Sequence, residues 1–323
     1  MENWNDKPLN FGEILDVTFH IIKKYFAKLF LIMLILTGPM YLIQGLAYLS
    51  GGVSIFGEPM KGPWLESWIE RMEGMGMETV WDNIGLTEVI LIIGSMVLLN
   101  LISIPLADAS MILATNQIKN HEKLDIWLII KRAFSRFWAL LGGSIVYFLI
   151  TIALFTIVAL IIFLFISATE TINNPWIQIP SIVSLSGASI FIITYLLIRW
   201  SFYFAPILFE KVSPGLSKSW KLTRGHFWRL IRLFIVLWII LAIFSSIIQS
   251  GVQLLLGNSV ISSLLNNLLS MLTMMISFIA YAVIYFDLRL RNEAADLKEM
   301  VEAYHSEIEE KTEGMTDLSE KEF

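Results

Sequence analysis

LFIVLWIILAIFSSIIQSGVQLLLGNSVISSLLNNLLSMLTMMISFIAYAVIYF, residues 233 to 286, runs for 54 positions without an aspartate, glutamate, lysine or arginine. A helix needs about 20 apolar residues to cross the hydrocarbon of a bilayer, so this stretch holds two crossings and a turn. Residues 137 to 169 are charge-free as well. Further apolar blocks bring the prediction to six transmembrane helices, at about 29–49, 89–107, 138–166, 177–198, 233–254 and 263–286. All are expected to be helical, because hydrocarbon offers backbone N–H and C=O groups no partner but each other.

The composition agrees. Of 323 residues, 56% are hydrophobic and 16% charged, with a mean hydropathy of +0.69, which leaves too little polar side chain to cover a water-soluble globule. The first apolar block lies behind a mixed-charge helical pattern and lacks the form of a cleaved secretory signal. There is no cysteine, which excludes disulfides, thiolate metal sites and thiol nucleophiles. The formal charge of -5 is a property of the C-terminal segment, since residues 287–323 hold 12 acids and 5 bases.

Basic residues sort by segment. Residues 1–28 carry four lysines and arginines, 107–136 five, 209–232 six and 287–323 five, whereas the alternate connections hold only Lys61 and Arg71. Lysine and arginine in short loops are retained on the cytosolic side, so both termini are expected in the cytosol. With Arg199 at the inner end of the fourth helix, 21 of 23 basic residues fall on that side.

Each cytosolic segment before an odd-numbered helix is amphipathic. Residues 10–28 line up Phe11, Ile14, Leu15, Thr18, Phe19, Ile22 and Phe26, with Asn10 and Glu13 spaced as a capping box. Residues 121–138 offer Leu124, Trp127, Leu128 and Phe134. Residues 215–232 read as one helix, with Ser213 and Pro214 at its start, Leu216, Trp220, Phe227 and Leu230 on one face and basic residues on the other. Such helices lie in a headgroup layer, and the lipid-contacting bases are expected to be Lys23, Lys24, Lys131, Arg132, Arg136, Lys218, Lys221, Arg224 and Arg229. A nucleic-acid patch would need free aromatics, so no nucleic acid is expected.

Aligning Lys28-Leu29-Phe30, Arg136-Phe137-Trp138 and His226-Phe227-Trp228 gives three pseudo-repeats of an interfacial amphipathic helix plus two transmembrane helices. Each repeat ends with an acid near the cytosol: Asp108 after Pro105, Glu210 after Pro206, and Asp287. These acids are expected to pair with neighbouring interfacial bases. The fold class is thus all-α and polytopic. Its parts are an N-terminal amphipathic helix over 1–28, a six-helix domain over 29–287, a cytosolic amphipathic helix over 288–310 and a disordered acidic tail over 311–323. Leu290, Ala294, Leu297, Val301, Tyr304 and Ile308 form a stripe on the third of these, suited to a helical partner.

The stretches FGEILDVTFHIIKKYFAKLF at 11–30, LSKSWKLTRGHFWRLI at 216–231 and IYFDLRLRNEAADL at 284–297 resemble the six-helix family named for the membrane domain of glycerophosphoryl diester phosphodiesterases. The resemblance implies an integral, all-helical membrane module, in some members fused to an extracytoplasmic phosphodiesterase. That catalytic domain has no counterpart here. His20, His121, His226 and His305 are isolated from one another and all assigned to the cytosolic side, so no enzyme activity and no cofactor are expected.

Other candidate sites are sparse. Met72, Met75 and Met77 in the outer loop 60–83 have thioether spacing suited to a soft metal, but Trp64, Leu65, Trp68, Ile69 and Met72 recur at helical spacing, and a short helix on the outer interface is the expectation. Asn100 and Arg199 stand out within the membrane, Asn100 as a bond to a neighbouring helix and Arg199 as a cation snorkelling to the inner surface. The expected function is a non-enzymatic scaffold or accessory subunit of a bacterial cytoplasmic membrane, in an envelope or export process. Its expected partners are membrane lipids and a membrane protein or a second copy of itself. The alternative is a transporter or lipid-handling protein with a path between three two-helix units.

Overall fold

The computed structural model describes residues 7–57, 85–169, 175–210, 214–257 and 259–320. Among them are ten α-helices and one π-helical turn. The helices are α1 (Phe11–Ser50), α2 (Leu86–Leu98), α3 (Ile104–Lys119), α4 (Ile126–Ser135), α5 (Phe137–Thr169), α6 (Pro175–Trp200), α7 (Phe204–Phe209), α8 (Leu216–Leu222), α9 (Phe227–Leu256) and α10 (Val260–Glu320), with the π turn at Leu99–Ser103. Six stretches are long and apolar enough to cross a membrane: Phe11–Ser50, Val89–Lys119, Phe137–Ser167, Ile179–Phe209, Phe227–Leu256 and Val260–Ala294. The outer loop 60–83, with its methionines, lies outside the described residues.

Two of the spans are interrupted beside a proline. Proline has no N–H to give, and its ring presses on the carbonyl four residues back. For Pro105 that residue is Leu101, in the middle of the π turn. For Pro206 it is Phe202, in the break between α6 and α7. Ser219 repairs the second break: its fully buried Oγ accepts from the Phe202 N–H at 3.0 Å and donates to the Arg199 carbonyl at 2.8 Å.

Three entries into the bundle share a backbone geometry. Tyr25 has φ -118 and ψ 17, Arg136 -110 and 9, and His226 -112 and 12. Four residues beyond each break sit Leu29, Leu140 and Leu230, all fully buried. The first break therefore falls at Tyr25, three residues ahead of the Lys28 alignment. Residues 215–232 do not form one helix either. Helix α8 stops at Leu222, and Gly225, at φ +79, turns the chain into α9. The start is Gly215, not Ser213, which lies outside the described residues. Gly215 has φ +75, and a Cβ there would lie 2.5 Å from the Tyr203 carbonyl oxygen.

The core centres on α1, α3 and α10. Ile32, Met33, Ala107, Met111, Ile279 and Val283 are all fully buried in one cluster. At the end remote from the basic segments, Asn267 donates to Gln44 at 3.2 Å, and Ser54 and Ile55 carbonyls accept from Val260 and Ile261. Helix α10 runs on to Glu320, past residue 310, where the sequence suggests a disordered tail. Extending a helix already nucleated costs far less than starting one, so α10 carries on through Thr312, Gly314 and Thr316 despite their low helix propensity.

Burial is uneven. In the most apolar 18 residues of α10, 56% are buried, whereas in α5 none are. The amphipathic segments divide their expected apolar stripes, and in α1 Ile14, Thr18 and Ile22 turn inward while the phenylalanines do not. Ile14, Val17, Thr18, Ile21 and Ile22 are buried in α1 while Phe11, Phe19 and Phe26 are exposed; Ile129, Ile130 and Ala133 are buried in α4 while Trp127 and Phe134 are exposed. Aliphatic rows pack on the protein, leaving the aromatics beside the bases. Exposed Trp127, Trp138 and Trp228 mark the basic end, as amphipathic rings do at a membrane–water boundary.

Candidate functional site

The most connected polar site joins the chain's N-terminal segment to α9 and α10. Asp287 ends the predicted sixth span and its side chain is fully buried. Its Oδ1 accepts from the Leu9 N–H at 2.7 Å, and its Oδ2 accepts from Arg229 Nη1 at 2.6 Å and Arg291 Nε at 3.0 Å. Both arginines reach over the carboxylate to the Leu9 carbonyl, Arg229 Nη2 at 2.8 Å and Arg291 Nη2 at 2.7 Å. Residue 9 precedes α1, so its N–H and C=O lack helical partners, and these three side chains satisfy both. The capping box predicted at the start of α1 is present beside it, with the Asn10 N–H donating to Glu13 Oε2 at 2.6 Å and Glu13 bridged to Lys7.

The knot opens onto a groove of about 520 Å³. Arg229, Arg232 and Arg291 lie on its walls, with Phe11, Ile235 and Val236 as apolar surface. Arg229 was expected to meet lipid with the exposed bases, but its turn of α9 aims it at Asp287, and its side chain is 19% exposed. Its period placed it on a face; only the turn at Gly225 sets which way that face points. Arg232 and Arg291, absent from the predicted contacts, complete the groove. The one sequence signal for them was their spacing of three and four residues from Arg229 and Asp287.

The other predicted acids differ. Glu210 pairs with Lys218 at 2.9 Å on the surface, as expected of an interfacial base. Asp108 does not form the expected ion pair. Instead of ending at 107, the second span continues as α3 to Lys119, which places Asp108 inside the bundle, 6% exposed, with its Oδ1 buried and without a hydrogen-bond partner. Ser110 Oγ is in the same condition. Asn100 falls in the π turn, and its side chain lies outside what the structure describes.

Arg199 is 4% exposed rather than snorkelling into water. Its guanidinium lies 4.2 Å from the Trp220 ring centre, with Tyr195 at 5.9 Å, while Nε is buried without a partner. An aromatic face compensates part of the charge's lost hydration. Lys23, Lys24, Lys131, Arg132, Lys218, Lys221 and Arg224 are exposed at the basic end, and Arg136 is half-buried. Among the described residues, no three His, Asp or Glu side chains gather where a metal ion could be held. The chain matches no protein-family model, no curated protein and no solved structure, so the reading of the site rests on its geometry.

Proposed function

We propose that the protein is a non-enzymatic, multi-pass protein of a bacterial cytoplasmic membrane that serves as a scaffold or accessory subunit in an envelope or export process, with both termini in the cytosol. The observation that carries this reading is α5, whose most apolar window has a mean hydropathy of 3.2 and no buried residue. A protein that had to enclose its own path would use its spans against one another; here one of them turns its apolar surface outward. Lipid tails are as apolar as this surface, so its exposure supports a partner only through packing, which a helix of another membrane protein or of a second copy would supply.

Three breaks of matching geometry at Tyr25, Arg136 and His226, each followed by a buried leucine, support the reading of three repeats. Exposed aromatics beside exposed bases support lipid contact by the segments that precede them. Membership of the six-helix membrane-domain family belongs to the same proposal, on the stretches at 11–30, 216–231 and 284–297. The test is a photo-crosslinking side chain at Phe155, an exposed position of α5, in intact cells. A discrete protein adduct, with an assembly larger than a monomer after gentle solubilisation, is the expected result. Lipid adducts alone, together with a monomer, would remove the scaffold.

Asp108 favours a second reading. A buried carboxylate oxygen without a partner, one turn from a π segment, is the kind of group a transporter or lipid-handling protein keeps for a proton or cation.

A further inference from the structure

We propose that the groove at Leu9, Arg229, Arg232 and Arg291 is a binding site for the phosphate of an anionic phospholipid. The site rests on the interfacial reading of this end of the bundle, and it adds a defined pocket and ligand chemistry to that reading. A phosphate site needs free donors. A guanidinium carries five N–H groups, so Arg229 and Arg291 together have ten, of which the knot engages four. Asp287 and the Leu9 carbonyl hold the two side chains in fixed positions along one wall. Among the described residues Arg232 uses only its Nε, in a bond to the Trp228 carbonyl at 3.1 Å, and it is exposed. Among the described residues, Arg229 and Arg291 share one fully buried carboxylate and Arg232 adds a third cation to the groove wall, an excess of two positive charges; nearby Glu13 is offset by Lys7. Planar guanidinia suit a phosphate diester, whose oxygens they can grip in pairs.

The groove continues along α9 in one direction. Arg232, Ile235 and Ile239 stand three and four residues apart on α9, and Ile235 and Ile239 are 48% and 43% exposed. The charged end lies at the basic segments, and the apolar row leads into the span. A phospholipid has the same order, anion first and acyl chain after; a soluble anion has no use for the row. The groove's volume is within the range of small-molecule sites. The larger groove beside Tyr25, about 790 Å³, sets Lys28 and Lys123 against Glu122 and Asp125 and has no such charge excess.

The test is native mass spectrometry of the full-length protein in detergent micelles doped with phosphatidylglycerol or phosphatidylcholine. Arg232 stands outside the knot, so Arg232→Ala keeps the fold, and Arg224→Ala makes the same charge change on the exposed turn. The expected result is selective retention of phosphatidylglycerol, weakened about tenfold in Arg232→Ala and less than about twofold in Arg224→Ala. Equal retention of the two lipids, or equal loss in the two variants, would reduce the groove to diffuse surface attraction and end the proposal. Displacement of phosphatidylglycerol by an equal concentration of inorganic phosphate would also end it, by making the ligand a free anion. None of these outcomes bears on the α5 crosslink, so the two readings fail separately.

Discussion

Arg229 Nη1 donates to Asp287 Oδ2 at 2.6 Å across 58 residues of sequence, joining the first turn of the fifth span to the end of the sixth. Because the same arginine and Arg291 also hold the Leu9 carbonyl, this bond closes the N-terminal segment onto the bundle. Replacing Asp287 by Ala would leave two partly buried cations facing each other. Loss of one partner of a buried pair costs about 3 kcal/mol or more, so a marked fall in the thermal unfolding midpoint of the solubilised protein is expected. Glu210→Ala, which breaks the exposed bridge to Lys218, should leave the midpoint nearly unchanged.

Asp108→Asn is expected to act in the opposite direction. The carboxylate Oδ1 has no hydrogen-bond partner to lose, and the neutral amide is easier to bury than an anion. The variant should melt at or above the parent protein. If the chain carries protons or cations, uptake into proteoliposomes would vanish in this same well-folded variant, which separates the two functional readings.

Ser219→Ala removes one hydroxyl from the break between α6 and α7 and strands two buried backbone groups, the Phe202 N–H and one acceptor site of the Arg199 carbonyl. Thr223 Oγ1 still reaches that carbonyl at 3.3 Å. A loss of about 1–3 kcal/mol is expected, read as a lower midpoint and faster proteolysis.

Two adjacent glycines in α5 provide a packing test. A Cβ at Gly143 would lie 2.6 Å from Ile207 Cδ1, whereas one at Gly142 meets nothing within 4 Å. Gly143→Leu should therefore destabilise by about 1–3 kcal/mol through forced separation of α5 and α7, and Gly142→Leu should not.

Orientation can be read directly because the chain has no cysteine of its own. In intact cells, an impermeant maleimide should label Ser54→Cys at once and Ser217→Cys only after permeabilisation, both positions being exposed. Labelling of Ser217→Cys from outside would invert the topology.

The sequence by itself determined the six spans. Hydropathy is a sum over neighbours, and a bilayer selects on that sum alone, so charge-free runs such as 137–169 and 233–286 reappear within α5, α9 and α10. It also revealed the capping box at Asn10, which acts within a single turn, but not the interruptions beside Pro105 and Pro206, because Pro39 and Pro180 lie inside continuous helices. Tertiary structure decided the rest. Whether Arg229 meets lipid or Asp287 depends on a turn at Gly225, and whether Asp108 finds a base depends on how far α3 runs and what packs around it. Amphipathic periodicity marks an apolar face without saying whether protein or lipid covers it, which is why the aliphatic rows of α1 and α4 face the core and their aromatics do not. Leu9 lies 278 residues from Asp287, and a bond across that distance arises only when separate helices have been brought side by side.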